Sequence, residues 1–175
     1  MEIYGEIKVW YVIQVYTGME QEVCQQCRYR VIEEDEDVFV LMAEKMAKIQ
    51  GEWIKVTGRL FPGYVFVETS RIDDFFMRLK RVEAMTKVLR TGEEMTPIHL
   101  EEEKHLRMLG GADHIVKYSE GYIEGDKLVI TSGAMGNFKG TVKKVLRHKR
   151  LVVLEIPLMG RTVEITVGLG VVKRL

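Results

Sequence analysis

Three groups of residues in this 175-residue chain have types and spacings that could do chemistry. Cys24 and Cys27 stand in the Cys-x-x-Cys spacing of a redox pair, but their surroundings, MEQEVCQQCRYRV, form a polar, helix-like run without tryptophan, glycine or proline. Two cysteines cannot staple a fold or complete a zinc site by themselves. They are expected to be ordinary reduced residues of a helix. His99 and His105 lie six residues apart around Glu101, Glu102 and Glu103. That spacing does not give the His-Glu-x-x-His face of a metalloprotease, and the glutamate run reads as a solvated face. No phosphate-binding glycine loop, nucleophile elbow or dinucleotide fingerprint is present. The chain is therefore expected to carry no catalytic residue, no metal ligand and no cofactor, and not to be an enzyme.

The third group is cationic. Between two strand-like runs the chain reads KKVLRHKR, placing Lys143, Lys144, Arg147, His148, Lys149 and Arg150 at or beside a turn. Like charges repel there, and the turn lacks the Asn-Gly or Asp-Gly that favours a tight hairpin. Neither choice helps stability, which points to a ligand that uses the charge. Phosphate is the natural one, because each neutralised phosphate adds about 0.9 to the salt slope on duplex DNA and about 0.7 on single strands. Arginines also clamp phosphates bidentately and stack on exposed bases. Lys139, Arg161, Lys173 and Arg174 are candidates to widen the patch. A solvated, solubilising loop is the alternative reading.

The net charge of zero hides an asymmetry. Residues 1–121 hold 22 Asp and Glu against 16 Lys and Arg, a balance of −6, and residues 122–175 hold 4 against 10, a balance of +6. Opposite signs suggest two modules with different partners. With 46% hydrophobic and 30% charged residues the chain is globular in composition. No run approaches the roughly 18 apolar residues of a membrane span, and MEIYGEIK lacks the basic start of a secretory signal. A cytoplasmic protein with no membrane partner is expected.

The elements that position these groups follow from composition and period. KVWYVIQV (8–15) reads as a buried strand. Thr17, with Glu20 three residues on, fits a capping box opening a helix over 19–34. DVFVLM (37–42) is a strand, a turn at Gly51 returns the chain as a hairpin, and PGYVFVET (62–69) is a further strand. A short helix over 73–82, a strand over 86–92, and a helix from Thr96-Pro97 to Gly110 complete an α+β module. After a linker the pattern turns to strands alone: KLVIT, GTVKKVL, LVVLEI and TVEITV, a small barrel or sandwich.

WYVIQVYTGME together with RLFPGYVFVE resembles the N-terminal domain of the NusG transcription factors. GDKLVITSGAMGNFKGTVKKVLRHKRLVVLEIPLMGRTVEITVGLGVVK resembles their C-terminal KOW domain, with its Gly-Asp, its GNFKG turn and its Gly-Arg before the last strand. The resemblance covers Val9 to Lys173 with both modules in the family's order. It implies an N-terminal NusG-type (NGN) domain over 1–110, an antiparallel sheet flanked by helices; a linker over 111–121; and an SH3-like KOW β-barrel over 122–175. It also implies a bacterial, monomeric factor whose NGN domain binds RNA polymerase by docking the clamp helices into an aromatic-lined hollow, suppressing pausing. A helix tip needs a concave apolar site with aromatic anchors. By position, Trp10, Tyr11, Phe61, Pro62, Gly63, Tyr64 and Phe66 supply that site here. Alternation also sends Tyr64 and Phe66 to one face, where they would serve simply as core.

In housekeeping members of the family the turn at 143–150 is usually mixed or acidic. The basic turn resembles a specialised antitermination branch, the LoaP-like paralogues, which implies processive antitermination with recruitment by a structured leader element in the nascent RNA. The alternative is a housekeeping NusG whose barrel binds a ribosomal protein or a termination factor. A ribosome-bound KOW protein is a third reading, disfavoured by the complete N-terminal module. Some paralogues fold the KOW segment as a helical hairpin, but the β-branched density of LVVLEI and TVEITV predicts a permanent barrel.

Overall fold

The computed structural model describes residues 6–172. Lys173 and Arg174 lie outside the described residues. The chain begins with strand β1 (Val9–Val15), helix α1 (Glu20–Arg30), strands β2 (Asp37–Phe39), β3 (Met42–Ile49), β4 (Glu52–Arg59) and β5 (Tyr64–Thr69), and helix α2 (Ile72–Leu79). Short strands β6 (Thr86–Val88), β7 (Arg90–Thr91) and β8 (Glu94–Met95) lead to helix α3 (Leu100–Gly110). The remainder holds β9 (Ile115–Val116), β10 (Ser119–Glu124), β11 (Lys127–Ser132), β12 (Thr141–Leu146), β13 (Leu151–Leu158) and β14 (Arg161–Val171). No described helix is long and apolar enough to cross a membrane.

The chain divides into two compact units: the described residues through Val40 with Pro62–Glu103, and Leu41–Phe61 with the residues from Lys104 onward. The first unit is built on an antiparallel sheet in the order β2-β5-β1-β6. β-branched and aromatic side chains fill β1, and Trp10, Val12 and Ile13 are fully buried. Helix α1 packs on β2 and β5, burying Val23, Cys24 and Cys27. Its Glu20 and Glu22 lie in the first turn and its Arg28 and Arg30 in the last, the arrangement that complements a helix dipole. It is shorter than the expected 19–34, and no side chain caps it. Thr17 does not close a capping box; Glu20 reaches back to Gly18 N–H instead.

The expected solvated face of α3 is also corrected. Glu102 and Glu103 are buried: Glu103 Oε1 accepts the Trp10 N–H at 2.9 Å and Glu102 Oε1 accepts the His99 N–H at 3.0 Å. Backbone donors make that burial tolerable, because a buried carboxylate needs partners.

In the second unit, β3 and β4 form the hairpin expected around Gly51, and β9 adds in parallel to β3. A five-stranded curled sheet follows in the order β11-β10-β14-β13-β12, with β10 and β14 parallel and the other pairs antiparallel. The segment 111–121, expected as a linker, contains β9 and the start of β10. Alternation sets the core: Val152, Leu154, Ile156 and Leu158 of β13 and Ile165, Val167 and Leu169 of β14 point inward and are buried. Each such side chain contributes about 1.5–3 kcal/mol relative to exposure. Between Ser119 and Val171 the regular elements are strands and two short 3-10 turns, with no α-helix, in keeping with the β-branched composition.

Candidate functional site

The Pro62-Gly63 turn is held from three sides. Gly63 has φ +83°, and a Cβ there would stand 3.1 Å from the Val15 carbonyl oxygen. Val15 N–H donates to the Gly63 carbonyl at 2.8 Å. Glu20, 1% exposed, accepts the Gly63 N–H at 2.9 Å and the Gly18 N–H with both carboxylate oxygens at 2.9 and 3.0 Å. One buried carboxylate at the start of α1 therefore ties the end of β1, the helix and the turn together.

Beyond the turn, cross-strand register decides which aromatics share a face. Gln14 opposes Tyr64, Val12 opposes Phe66, Trp10 opposes Glu68, and Phe39 opposes Phe66 on the far side. Opposed residues lie on one face, so Trp10, Phe39, Tyr64 and Phe66 belong together. Trp10 and Phe39 meet edge to face at 4.7 Å, Phe39 and Phe66 stack at 5.8 Å, and Trp10 Nε1–H donates to Glu68 Oε2 at 2.7 Å. Trp10 and Phe66 are fully buried and act as core. Tyr64 is half-buried and Pro62 exposed. Tyr11 stands on the opposite face of β1, where burial and then the negative charge of Asp73 push its hydroxyl pKa up. Phe61 is buried in the second unit. The strand's two-residue period thus separates Tyr11 from Trp10, Tyr64 and Phe66, and Phe61 falls in the other unit.

The same end of β1 carries surface that the sequence reading did not single out. Gln14, Val15, Tyr16, Met85, Thr86 and Lys87 line a shallow groove of about 230 Å³. Tyr16 is 68% and Met85 71% exposed, large apolar groups left in water.

In the second unit, Arg147–Lys149 form a 3-10 turn between β12 and β13, and Arg150 closes it with φ +55°. Lys144, Arg147, His148 and Lys149 are exposed, and among the described residues none pairs with a carboxylate. An open groove of about 320 Å³ runs beside the turn, lined by Val145, Leu146, Arg147, His148 and Lys149. Lys143 behaves differently. It bonds Glu164, lies 3.6 Å from Glu155, and its pKa is raised by the Glu164 hydrogen bond. Arg161 pairs with Leu158 at the far end of β13, about 23 Å from the turn at 3.3 Å per residue. Lys139 precedes β12, also away from the turn, and its N–H donates to His105 Nε2 at 3.1 Å. The structure thus gathers Lys144 and Arg147–Arg150 and separates Lys139, Lys143 and Arg161 from them.

Cys24 and Cys27 are buried, free thiols. Burial, reinforced by Cys24, pushes Cys27 up to about 12, and burial also raises Cys24, whose Sγ–H donates to the Val38 carbonyl at 3.4 Å. Neither is a thiolate at neutral pH. Among the described residues no cluster of three or more His, Cys, Asp or Glu is arranged to hold a metal.

A family model described as Transcription termination factor nusG matches residues 8–109. Relatives named Transcription termination/antitermination protein NusG align along almost the whole chain. That of Haemophilus influenzae is 27% identical over 175 residues, covering 96% of this chain and 95% of its own. That of Halalkalibacterium halodurans is 26% identical over 163 residues, covering 88% and 91%. A solved structure titled "Domain interaction in Thermotoga maritima NusG" shares the fold, with a TM-score of 0.57 at 20% identity over 92% of this chain and 93% of that one.

Proposed function

The chain belongs to the NusG family of transcription termination/antitermination proteins, which are transcription factors and not enzymes, and from that premise we propose that it is a specialised antitermination factor of the LoaP kind. Residues 1–110 act as the NGN domain that binds RNA polymerase at its clamp helices, and 122–175 act as a KOW barrel that contacts nascent leader RNA. Its place of action is the bacterial cytoplasm, where the transcript emerges.

The observation that carries the RNA half is the unpaired charge at the β12–β13 turn. Lys143, on the adjacent strand, is neutralised by Glu155 and Glu164, whereas among the described residues Lys144, Arg147, His148 and Lys149 have no carboxylate partner. Uncompensated cations on one turn favour a polyanion and give its binding a steep salt dependence. The polymerase half rests on the half-buried Tyr64, the exposed Pro62 and the neighbouring groove with Tyr16 and Met85, apolar anchors around a turn fixed by Glu20. Trp10 and Phe66 support that surface from beneath.

The test uses the full chain with a pool of RNA stem-loops carrying randomised loops, and with purified elongation complexes. R147E/K149E is expected to abolish retention of the RNA pool in a gel shift while still co-migrating with elongation complexes. Unchanged RNA retention removes the RNA half. A barrel that instead retains a ribosomal protein or a termination factor, with no preferred RNA, identifies a housekeeping NusG.

A further inference from the structure

The cationic turn has a neighbour within the second unit. The Arg150 guanidinium carbon lies 4.4 Å from the centre of the Trp53 ring, inside cation–π range. Trp53 is on β4, and register places Lys48 opposite Trp53, and Met46 opposite Lys55, on the β3–β4 hairpin. Residues opposed across the hairpin or two apart along a strand share a face, so Lys48, Trp53 and Lys55 stand together. That face meets the curled sheet. Glu44 Oε1 accepts the Tyr118 N–H at 3.0 Å, Lys55 Nζ lies 5.9 Å over the Tyr118 ring, and β14 approaches so closely that a Cβ on Gly168 would fall 2.5 Å from the Glu44 carbonyl oxygen. Lys48 and Lys55 are exposed, Trp53 is half-buried, and neither lysine has a carboxylate partner among the described residues.

We propose that this hairpin face is the second wall of the RNA site. Trp53 holds the Arg150 guanidinium over its ring, leaving the group's other side for an unpaired base, and Lys48 and Lys55 meet phosphates of the same strand. The inference rests on the reading of the turn as an RNA contact and extends it to residues remote in sequence. Planar groups interleaved with cations are what single-stranded segments bind, bases stacking on the plates while charges track the backbone. A guanidinium already laid on an indole loses less rotamer freedom on binding than one loose in water. A protein partner would call for an apolar centre; the centre here is an arginine flanked by lysines. Trp53 acts through Arg150 and is a positioning residue.

The experiment measures fluorescence anisotropy of labelled oligouridine and of a labelled RNA stem-loop with the full chain across a salt series. K48Q/K55Q is expected to lower the salt slope by about 1.4, two single-strand phosphate contacts. W53L is expected to weaken binding about tenfold at fixed salt with the slope unchanged, whereas W53F, which keeps a ring under Arg150, stays within about threefold of the parent. RNA should also perturb the indole emission of the parent more than that of W53F. Both lysines are exposed, so K48Q/K55Q remains decisive if W53L fails to fold. Unchanged slope in K48Q/K55Q and unchanged affinity in W53L, with binding still lost in R147E/K149E, overturns the hairpin wall and leaves the turn standing. R147E/K149E that binds like the parent, or a parent that binds neither probe, overturns the reading of the turn itself.

Discussion

Glu20 and Gly63 are 43 residues apart in sequence, yet the carboxylate of one accepts the backbone N–H of the other at 2.9 Å. Hydrogen bonds to charged acceptors contribute about 1.5–3 kcal/mol each, and a buried donor left without one costs a similar amount. Glu20→Ala is therefore expected to lose about 2–4 kcal/mol in urea unfolding at unchanged m-value. Glu20→Gln, which keeps an acceptor oxygen, should recover part of the loss. A change in Glu20→Ala within about 0.5 kcal/mol, the range of an ordinary surface substitution, would show that the turn is not anchored there.

Trp10 and Tyr64 share a sheet face but differ in exposure, and substitution should separate their roles. Trp10→Ala removes a fully buried ring and is expected to cost about 3–5 kcal/mol. Tyr64→Ala should melt closer to the parent yet weaken co-sedimentation with polymerase about tenfold or more, as truncation of an interface anchor does. The polymerase surface would have to be sought elsewhere if Tyr64→Ala co-sediments like the parent.

Arg78 and Glu36 form a buried ion pair in the first unit, with Arg78 Nη1 2.7 Å from Glu36 Oε1 and a second bond to the carboxylate from Thr69 Oγ1–H at 2.6 Å. Burial pushes the Glu36 pKa up, but the Arg78 and Thr69 hydrogen bonds outweigh it and hold the carboxyl below the ordinary value of 4.5. The folded state thus binds that proton less readily than the unfolded chain. Its stabilising contribution is full above about pH 4.5 and is lost as pH falls further. Arg78→Met leaves a buried carboxylate without its cation and is expected to cost about 3–5 kcal/mol at pH 7. The deficit should narrow in acid, where Glu36 takes a proton. A deficit that is the same at pH 7 and pH 4 contradicts this account.

His105 gives a second pH signature of opposite chemistry. Burial and then the charge of Lys139 depress its pKa below 6.5, and the neutral ring accepts the Lys139 N–H while lying 5.4 Å from Phe138. Stability from this group is complete above about pH 6.5 and declines as pH drops and the unfolded chain protonates first. An NMR titration of the His105 ring is expected to give a midpoint below 6.5. A midpoint at or above that value would contradict the burial of the ring beside Lys139.

Elements made by local propensity were legible in the sequence. The β-branched run of β1, the hairpin around Gly51 and the alternating strands β13 and β14 all declare themselves by composition and period. The misreadings came from faces. Trp10 and Tyr11 are adjacent on a strand, so they had to point opposite ways. Glu103 falls three residues before Leu106 and six before Leu109, close to the buried side of α3, a register visible in the sequence but outweighed by the apparent solubility of three glutamates. The cationic turn was legible as charge, whereas the separation of Arg161 and Lys139 from it follows from strand register. The approach of Trp53 to Arg150 depends on how a hairpin packs on a distant sheet, which no local pattern encodes.

Arg150 closes its turn at φ +55°, where a side chain costs about 1–2 kcal/mol. A glycine would take the same bend without that strain, but would remove the guanidinium and leave the Trp53 ring uncovered. Sturdiness and charge are therefore opposed at one position: the replacement that best suits the backbone is the one that erases the group projecting from it. Screens for thermostable variants of this chain should drift toward glycine there and, in doing so, blunt whatever the turn recognises.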